Sequence, residues 1–188
     1  NEAIRFSVNR GDARVFLEDR EIPGRAEGAK TLIEYEPEHT GFYTFTIRSG
    51  KTETIAQFFV QIPFRDLVRR RIDFIIDKQQ FNCEGSALDG AYLIYDTQDK
   101  CRIFDDLNGD YNASRERLVM GLLIAKYLQH DRDPKIYESL MKYYRFVSRE
   151  FFDEETGIVY NTIGKNPEFK RLYNGPWMSM FMMELYKL

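Results

Sequence analysis

The residues that could do chemistry in this chain are concentrated between positions 103 and 125. A polar loop opens this segment, and a helix that is apolar almost all the way round follows it. The loop and the first turn of the helix hold the carboxylates Asp105, Asp106, Asp110 and Glu116 and the cations Arg115 and Arg117. Charge at the start of a buried helix is costly to desolvate unless something uses it. The segment therefore predicts a site in which carboxylates and guanidinium groups act together.

The carboxylates also have an interpretation without chemistry. Asp105 and Asp106 can be solvated loop charges, and Glu116 can be a partner of the helix dipole. Asp110 and Asn112 can cap the helix that follows them. The sequence leaves both interpretations open.

The two arginines are harder to explain as surface charges. Cations in a first helical turn oppose the helix dipole. Arg115 and Arg117 can be stabilised there by Glu116 or by the nearby aspartates. Alternatively, they can form a bidentate clamp on a substrate carboxylate, which would suit a uronic acid.

Residues 1–62 are predicted to be β. Segments rich in β-branched and aromatic residues lie at 13–17, 31–35, 41–48 and 54–62, and residues 1–6 have the pattern of a strand already under way. Gly50 lies in a predicted hairpin turn that favours a positive φ. Residues 37–47 resemble the closing strands of an immunoglobulin-like sandwich, with Tyr43 as the tyrosine that precedes the last hairpin.

Pro63 marks the change from strands to helices, because proline can end a strand and open a helix. Helices are predicted at about 64–80, 113–129, 134–151 and 175–188, with Asp133 and Pro134 as the cap and first turn of the third. The helices alternate between amphipathic and apolar on most faces. This alternation predicts antiparallel hairpins in two layers, in which the inner helices run parallel. Their N-termini would then share one rim that favours an anion.

Composition excludes several classes of function. The net charge is −3 and the longest basic run is 69–71, so nucleic-acid binding is not expected. No apolar segment reaches the length of a membrane span. The 12 Tyr and 15 Phe suit a carbohydrate-binding surface, although they suit an ordinary core as well.

The sequence predicts neither a metal nor a cofactor. Cys83 and Cys101 share one loop without a neighbouring histidine, so they can form a disulfide or remain free thiols but make a poor metal site. His39 falls in the β segment and His130 near a helix end, both away from the predicted rim. Histidine-dependent mechanisms and metal-assisted hydrolysis are therefore disfavoured.

Three segments resemble the six-hairpin glycosidase superfamily. They are residues 71–80, 104–121 and 173–180, and the resemblance extends over roughly residues 30–188. Members of that superfamily have an (α/α) toroid, often after a β-sandwich, and the resemblance is to glycoside hydrolases of Bacteroides type acting on glucuronides and other glycans. A complete toroid has more helices than these four, so we expect a piece of a longer protein.

The resemblance implies an α+β chain with a β-sandwich-like segment at 1–62 and part of an (α/α) toroid at 63–188. It implies a periplasmic or secreted glycoside hydrolase that acts on a uronic-acid-containing or other complex oligosaccharide or polysaccharide. The catalytic carboxyls would come from Asp105, Asp106 and Glu116. The substrate would be bound by Arg115, Arg117, Tyr173, Asn174 and Trp177.

Alternatives remain open for the function and for two of these residues. A polysaccharide lyase on a similar toroid would use Tyr173 or Tyr111 as the base beside Arg115. A non-catalytic glycan-binding module would use the rim as a binding surface only. Trp177 can stack on a sugar or belong to the core, and Asn174 can be a ligand or a helix cap.

Overall fold

The chain has two compact units. The computed structural model describes residues 3–104, 114–167, 171–172 and 174–188, and for 114–117 it describes the backbone alone. Its contacts divide the chain into Asn1–Asp66 and Leu67–Leu188. The first unit is built of strands, and the second is built mainly of helices with one short hairpin. The predicted α+β class is therefore confirmed.

The first unit contains two antiparallel sheets. One sheet has the strand order β1-β5-β4 and the other has the order β3-β2-β6-β7. The strands are β1 Ile4–Val8, β2 Arg14–Leu17, β3 Arg20–Ile22, β4 Gly24–Glu27, β5 Lys30–Tyr35, β6 Gly41–Ser49 and β7 Thr52–Val60. Gly50, in the turn between β6 and β7, has a φ of 58°, which agrees with the predicted hairpin.

The two sheets pack face to face around an apolar core. Alternate residues of β6, namely Tyr43, Phe45 and Ile47, are buried. They join buried residues of both sheets in one cluster. The rings of Phe6 and Phe45, one from each sheet, have centroids 5.2 Å apart. Alternation along the strand thus gives each sheet one buried and one exposed face.

Tyr43 fastens the turn that precedes its own strand. Its hydroxyl oxygen lies 3.0 Å from the backbone nitrogen of His39, from which it accepts, and 3.0 Å from the carbonyl oxygen of the same residue, to which it donates. A tyrosine that bonds the backbone a few residues upstream is the tyrosine corner of immunoglobulin-like sandwiches. The geometry agrees with the role predicted for Tyr43.

Among the described residues, the second unit and the three residues before it form four helices. They are α1 Phe64–Phe74, which continues as a π-helical turn over Ile75–Gln79, then α2 Ser114–Leu128, α3 Pro134–Glu150 and α4 Asn174–Tyr186. A hairpin of β8 Ile94–Asp96 and β9 Cys101–Ile103 lies between α1 and α2. The carboxylate of Asp133 accepts hydrogen bonds from the first-turn amides of α3 at 2.9 and 3.4 Å, as the predicted cap requires.

Helices α2 and α4 run in the same direction. Near their C-terminal ends, Nε2 of Gln129 donates to Oε2 of Glu184 at 2.7 Å. About two turns earlier in α2 and about one turn earlier in α4, Gly121 faces the ring of Phe181. Contacts nearer the C-terminus of α2 are therefore also nearer the C-terminus of α4, which means that the two helices are parallel. Their first turns lie at the same end. This agrees with the prediction of parallel buried helices.

A buried polar network anchors the loop of residues 81–93. Ser139 Oγ donates to Oε1 of Gln80 at 2.7 Å and lies 2.9 Å from the Tyr92 hydroxyl. Gln80 Nε2 donates to the backbone carbonyl of Ser139 at 2.9 Å. Burial raises the pKa of Tyr92 well above its ordinary value, although the hydrogen bond with Ser139 opposes that shift. The ring of Tyr92 stacks on Tyr143 with centroids 4.3 Å apart.

Candidate active site

The candidate site lies at the end of the second unit where α2 and α4 begin. The loop that follows α3 reaches the same place, because Nδ2 of Asn174, the first residue of α4, donates to Oδ1 of Asn161 at 3.0 Å. Three segments distant in sequence therefore meet here. This is the rim at which the sequence predicted converging helix N-termini.

The Asn161–Asn174 pair is the most unusual polar feature of the described rim. Asn161 is 1% exposed and Asn174 is 0% exposed. Oδ1 of Asn174 has no hydrogen-bond partner within the described part of the chain. A buried polar atom without a partner costs about 1–3 kcal/mol. Such an atom lowers the stability of the fold, and positions of this kind often have a functional role.

The start of α4 offers fewer free amides than a regular helix. The backbone nitrogen of Asn174 donates to the carbonyl of Arg171 at 3.0 Å, and that of Gly175 donates to the carbonyl of Leu172 at 3.3 Å. Pro176 has no N–H group. Three of the first four residues of α4 therefore have no amide N–H left to offer. Binding of an anion at this end would therefore depend more on side chains than on the amides of α4.

Glu150 is the carboxylate that the described residues place near this pair. It is buried at the end of α3, and Nε of Arg149 donates to its Oε1 at 2.6 Å. The backbone nitrogen of Gly164, three residues after Asn161, donates to its Oε2 at 2.9 Å. Both oxygens are thus engaged, and Oε2 holds the turn over Ile163–Lys165. Glu150 therefore acts in the structure as a support of the loop.

Most of the predicted site residues cannot be compared with the structure. Asp105, Asp106 and Tyr173 lie outside the described residues, as do Asp110, Tyr111 and Asn112. Arg115, Glu116 and Arg117 belong to the first turn of α2, where the backbone alone is described. Their place in the helix puts them at the same end as the start of α4. The roles predicted for these side chains stay predictions.

Asn174 and Trp177 are the two predicted site residues whose side chains are described. Trp177 is half-buried and packs against the apolar core of the second unit. This contact accounts for one side of its ring and leaves the other interpretation, stacking on a sugar, open. The complete burial of Asn174 favours a role in positioning its neighbours over direct contact with a ligand.

Sequence reasoning missed Asn161 and Glu150. Asn161 lies in a stretch without apolar periodicity, and Glu150 is one of several charges on an amphipathic helix. Neither has a local signal, because their partners come from other segments. An asparagine in a largely apolar stretch such as 158–163 is the one hint that the sequence offers.

The described residues also bear on metal binding, thiol chemistry and membrane association. Across the described ranges, no three His, Cys, Asp or Glu side chains gather closely enough to hold a metal ion. Cys83 and Cys101 are both exposed free thiols. Within the part of the chain that the structure describes, no helix combines the length and apolarity needed to span a membrane.

The chain is similar in structure to a protein described as a polysaccharide lyase. A solved structure of a Bacteroides polysaccharide lyase aligns with 99% of this chain at a TM-score of 0.84 and 27% sequence identity. The chain spans 29% of the length of that protein. No protein-family profile matches the chain. No curated protein sequence matches it either.

Proposed function

We propose that the chain forms part of an enzyme that cleaves a uronic-acid-containing polysaccharide by β-elimination. The observation that carries this proposal is the match, along 99% of the chain, to a protein described as a polysaccharide lyase. The chain spans 29% of that protein, so the proposal concerns an enzyme to which these residues contribute one part. The match supports elimination better than it supports the hydrolysis expected from the sequence.

The chemistry defines what the site must supply. A base removes the proton at C5 of the uronate, next to its carboxylate, and the electron pair forms a double bond between C5 and C4. The glycosidic oxygen leaves C4 and takes a proton from an acid. Negative charge develops on the uronate carboxylate, so a cation or hydrogen-bond donor aimed at it lowers the barrier.

The rim offers candidates for these roles. We assign the base to Tyr173, with Tyr111 as the alternative, and the carboxylate clamp to Arg115 assisted by Arg117. The parallel course of α2 and α4 supports this grouping, because it brings the backbone of the first turn of α2 to the end where α4 begins. Trp177 would stack on a sugar ring through the part of its side chain that the core leaves exposed.

Asn174 would be a positioning residue in this scheme. It follows Tyr173 directly, and its amide is fixed by Asn161 at 3.0 Å. A side chain without exposed atoms contacts substrate only if the rim rearranges. Its contribution would therefore come from holding the start of α4, and with it the neighbouring tyrosine, in place.

Glycoside hydrolysis is the second candidate. It would use two of Asp105, Asp106 and Glu116 as the acid and the base or nucleophile. Their positions in the sequence, just before α2 and in its first turn, favour this candidate. The carboxylate that is described near the asparagine pair, Glu150, has both oxygens engaged and does not add to it.

The substrate class also bears on where the protein works. A polysaccharide is too large to enter a cell by diffusion, so an enzyme that acts on one must meet it outside the cytoplasm. We therefore propose a periplasmic or secreted location. A glycan is the partner that this proposal implies.

The two reactions are distinguished by their products. The protein is incubated with polygalacturonate, glucuronate-containing glycans and aryl β-glucuronides in water enriched in ¹⁸O. Elimination gives ultraviolet absorbance from the new conjugated double bond and fragments without ¹⁸O. Hydrolysis gives ¹⁸O-labelled reducing ends without that absorbance and would replace elimination by the second candidate. Binding without any turnover would leave a glycan-binding module.

Matched arginine variants test the proposed clamp. Arg115→Ala should lower kcat/KM on a uronate substrate by about 10²–10³-fold, because it removes a charge-assisted contact to the developing negative charge. Arg145→Ala, an exposed change on α3, should leave the rate unchanged. The clamp is wrong if Arg115→Ala slows uronate and neutral substrates equally.

A further inference from the structure

A second concave surface lies within the first unit. A groove of about 970 Å³ opens between the turn that precedes β6 and the chain around the end of β7. Its walls combine aromatic side chains with polar ones, including Phe58, Phe59, Phe64, Glu38, His39 and Gln61. All residues that line it belong to the first unit. This mixture of apolar walls and a few polar groups is typical of small-molecule sites.

Two exposed phenylalanines form a platform beside the groove. Phe59 of the groove pairs across the strands with Phe42, and their ring centroids lie 4.9 Å apart. Phe42 is 68% exposed and Phe59 is 61% exposed. An aromatic pair left in water forgoes the burial that usually stabilises such rings. The pair therefore indicates a surface that is completed by a ligand.

Polar side chains lie next to the two phenylalanines, one cross-strand pair further along the sheet. The adjacent cross-strand pair on the same face is Thr44 and Gln57, in which Nε2 of Gln57 donates to Oγ1 of Thr44 at 2.9 Å. Gln57 is exposed and lies one row from the rings in the register of β6 and β7. A sugar presents an apolar C–H face to an aromatic ring and hydroxyl groups at its edge, so a ring beside an amide fits both parts of it.

The charges of this surface favour a neutral ligand. Further along the same face, Arg48 pairs with Glu53 at 2.7 Å and Arg14 pairs with Glu21 at 2.9 Å. Within each pair the positive and negative charges cancel, so the pairs add no net charge to this face. The residues that line the groove include Glu38 and contain neither Lys nor Arg. A uronate would meet a carboxylate there without a compensating cation, whereas an uncharged sugar would not be repelled.

We propose that the groove and the adjoining pair of Phe42 and Phe59 bind neutral sugar residues of a glycan. This rests on the proposed function for the choice of a glycan as ligand, but it assigns a different site and a different kind of sugar. The first unit would hold neutral parts of a polysaccharide, while the rim of the second unit acts on uronate. Two weak sites on one polymer raise its effective concentration at each.

Affinity measurements with matched variants test the proposal. Binding of soluble galactan, arabinan and xylan, and of polygalacturonate as the anionic control, is measured by affinity electrophoresis and titration calorimetry. Phe59→Ala should weaken binding of the preferred neutral polysaccharide at least about tenfold, which corresponds to about 1.4 kcal/mol. Phe42→Ala should weaken it as well. Ile55→Ala, a change at a side chain 65% exposed on the same face but outside the groove, should stay within twofold of wild type.

Several results would overturn this site. They are no measurable binding of any of the three neutral polysaccharides, tighter binding of polygalacturonate, or equal weakening by Ile55→Ala. Concentration-dependent self-association that Phe42→Ala and Phe59→Ala abolish would assign the surface to a second copy of the chain instead. Cleavage of short uronate oligosaccharides by Phe59→Ala should match wild type. The cleavage assay therefore tests the proposed lyase activity, and the binding assay tests this site, so that one can fail without the other.

Discussion

Gly121 lies where α2, α3 and α4 approach one another, and its replacement by alanine tests the packing that sets the rim. A Cβ atom at this position would lie 2.5 Å from Cε1 of Tyr143 and 2.8 Å from Cε2 of Phe181. Both rings are completely buried. Interiors are close-packed, so contacts this short require the rings or the helices to move.

Two opposing effects decide the result. Alanine is favoured over glycine inside a helix by about 1 kcal/mol. Overpacking a core by one methyl group costs about 1–3 kcal/mol. The ring of Tyr143 is stacked on Tyr92 at 4.3 Å and cannot swing away freely, which favours the upper part of that range. We therefore expect Gly121→Ala to lower the free energy of unfolding of the second unit by about 1–2 kcal/mol.

Tryptophan fluorescence during urea unfolding measures this change. Trp177 is the single tryptophan of the chain and packs against the same core, so its emission reports the second unit. Gly175→Ala is the control, because a Cβ atom in that first turn of α4 meets nothing within 4 Å. The control should be as stable as wild type or more stable by up to about 1 kcal/mol. If Gly121→Ala proved as stable as Gly175→Ala, the helices would not be as tightly packed as we describe.

Two further predictions concern single polar side chains. Burial alone would raise the pKa of Asp133, but the first-turn amides of α3 and the Arg69 guanidinium outweigh it and lower that pKa. Its stabilisation is therefore complete above the unfolded-state pKa of about 4 and is lost as the pH falls below it. Asp133→Ala should cost about 1 kcal/mol at neutral pH and flatten the acid side of a stability profile measured by urea unfolding. Tyr43→Phe should destabilise the first unit by about 1–2 kcal/mol, because the backbone of His39 loses both bonds to the hydroxyl; faster amide hydrogen exchange along β6 would report it. Unchanged exchange would show that the tyrosine corner adds no stability.

Local patterns predicted the elements that bury a regular stripe or face. Helix α3 has both an amphipathic repeat and the capping pair Asp133 and Pro134, and its observed bounds agree closely with the prediction. In strand β6 the buried residues Tyr43, Phe45 and Ile47 alternate with less buried ones. In these elements the apolar residues recur with the period of the helix or strand itself. The sequence alone therefore predicts which residues are buried.

Other elements depend on contacts that the sequence does not display. All four residues of β4 are exposed, so it has no apolar pattern and exists through its pairing with β5. The π-helical turn at Ile75–Gln79 was predicted as an ordinary continuation of α1. Its extra residue per turn is explained by the loop that Gln79 and Gln80 hold, which is a tertiary contact.

The site residues also differ in whether the sequence alone predicts them. Charges before and within the first turn of α2 are visible in the sequence because they interrupt an apolar helix. The pairing of Asn161 with Asn174 is not visible, since burial of both amides follows from the meeting of α4 with the loop after α3. The resemblance to glycosidases, with those carboxylates as candidate catalytic groups, predicts hydrolysis. The match to a solved polysaccharide lyase is what supports elimination in our proposal.

The buried network around Gln80 has a consequence for motion. The loop of residues 81–93 is long and contains two glycines, features that usually accompany independent flexibility. Yet its end residues Ala91, Tyr92 and Leu93 are buried, and the amide of Leu93 donates to the carbonyl of Gln79 at 2.9 Å. Opening this loop would expose the buried ring of Tyr92, which stacks on Tyr143, and would break the contact of its hydroxyl with Ser139 of α3. We therefore expect the segment to open together with α3 rather than by itself.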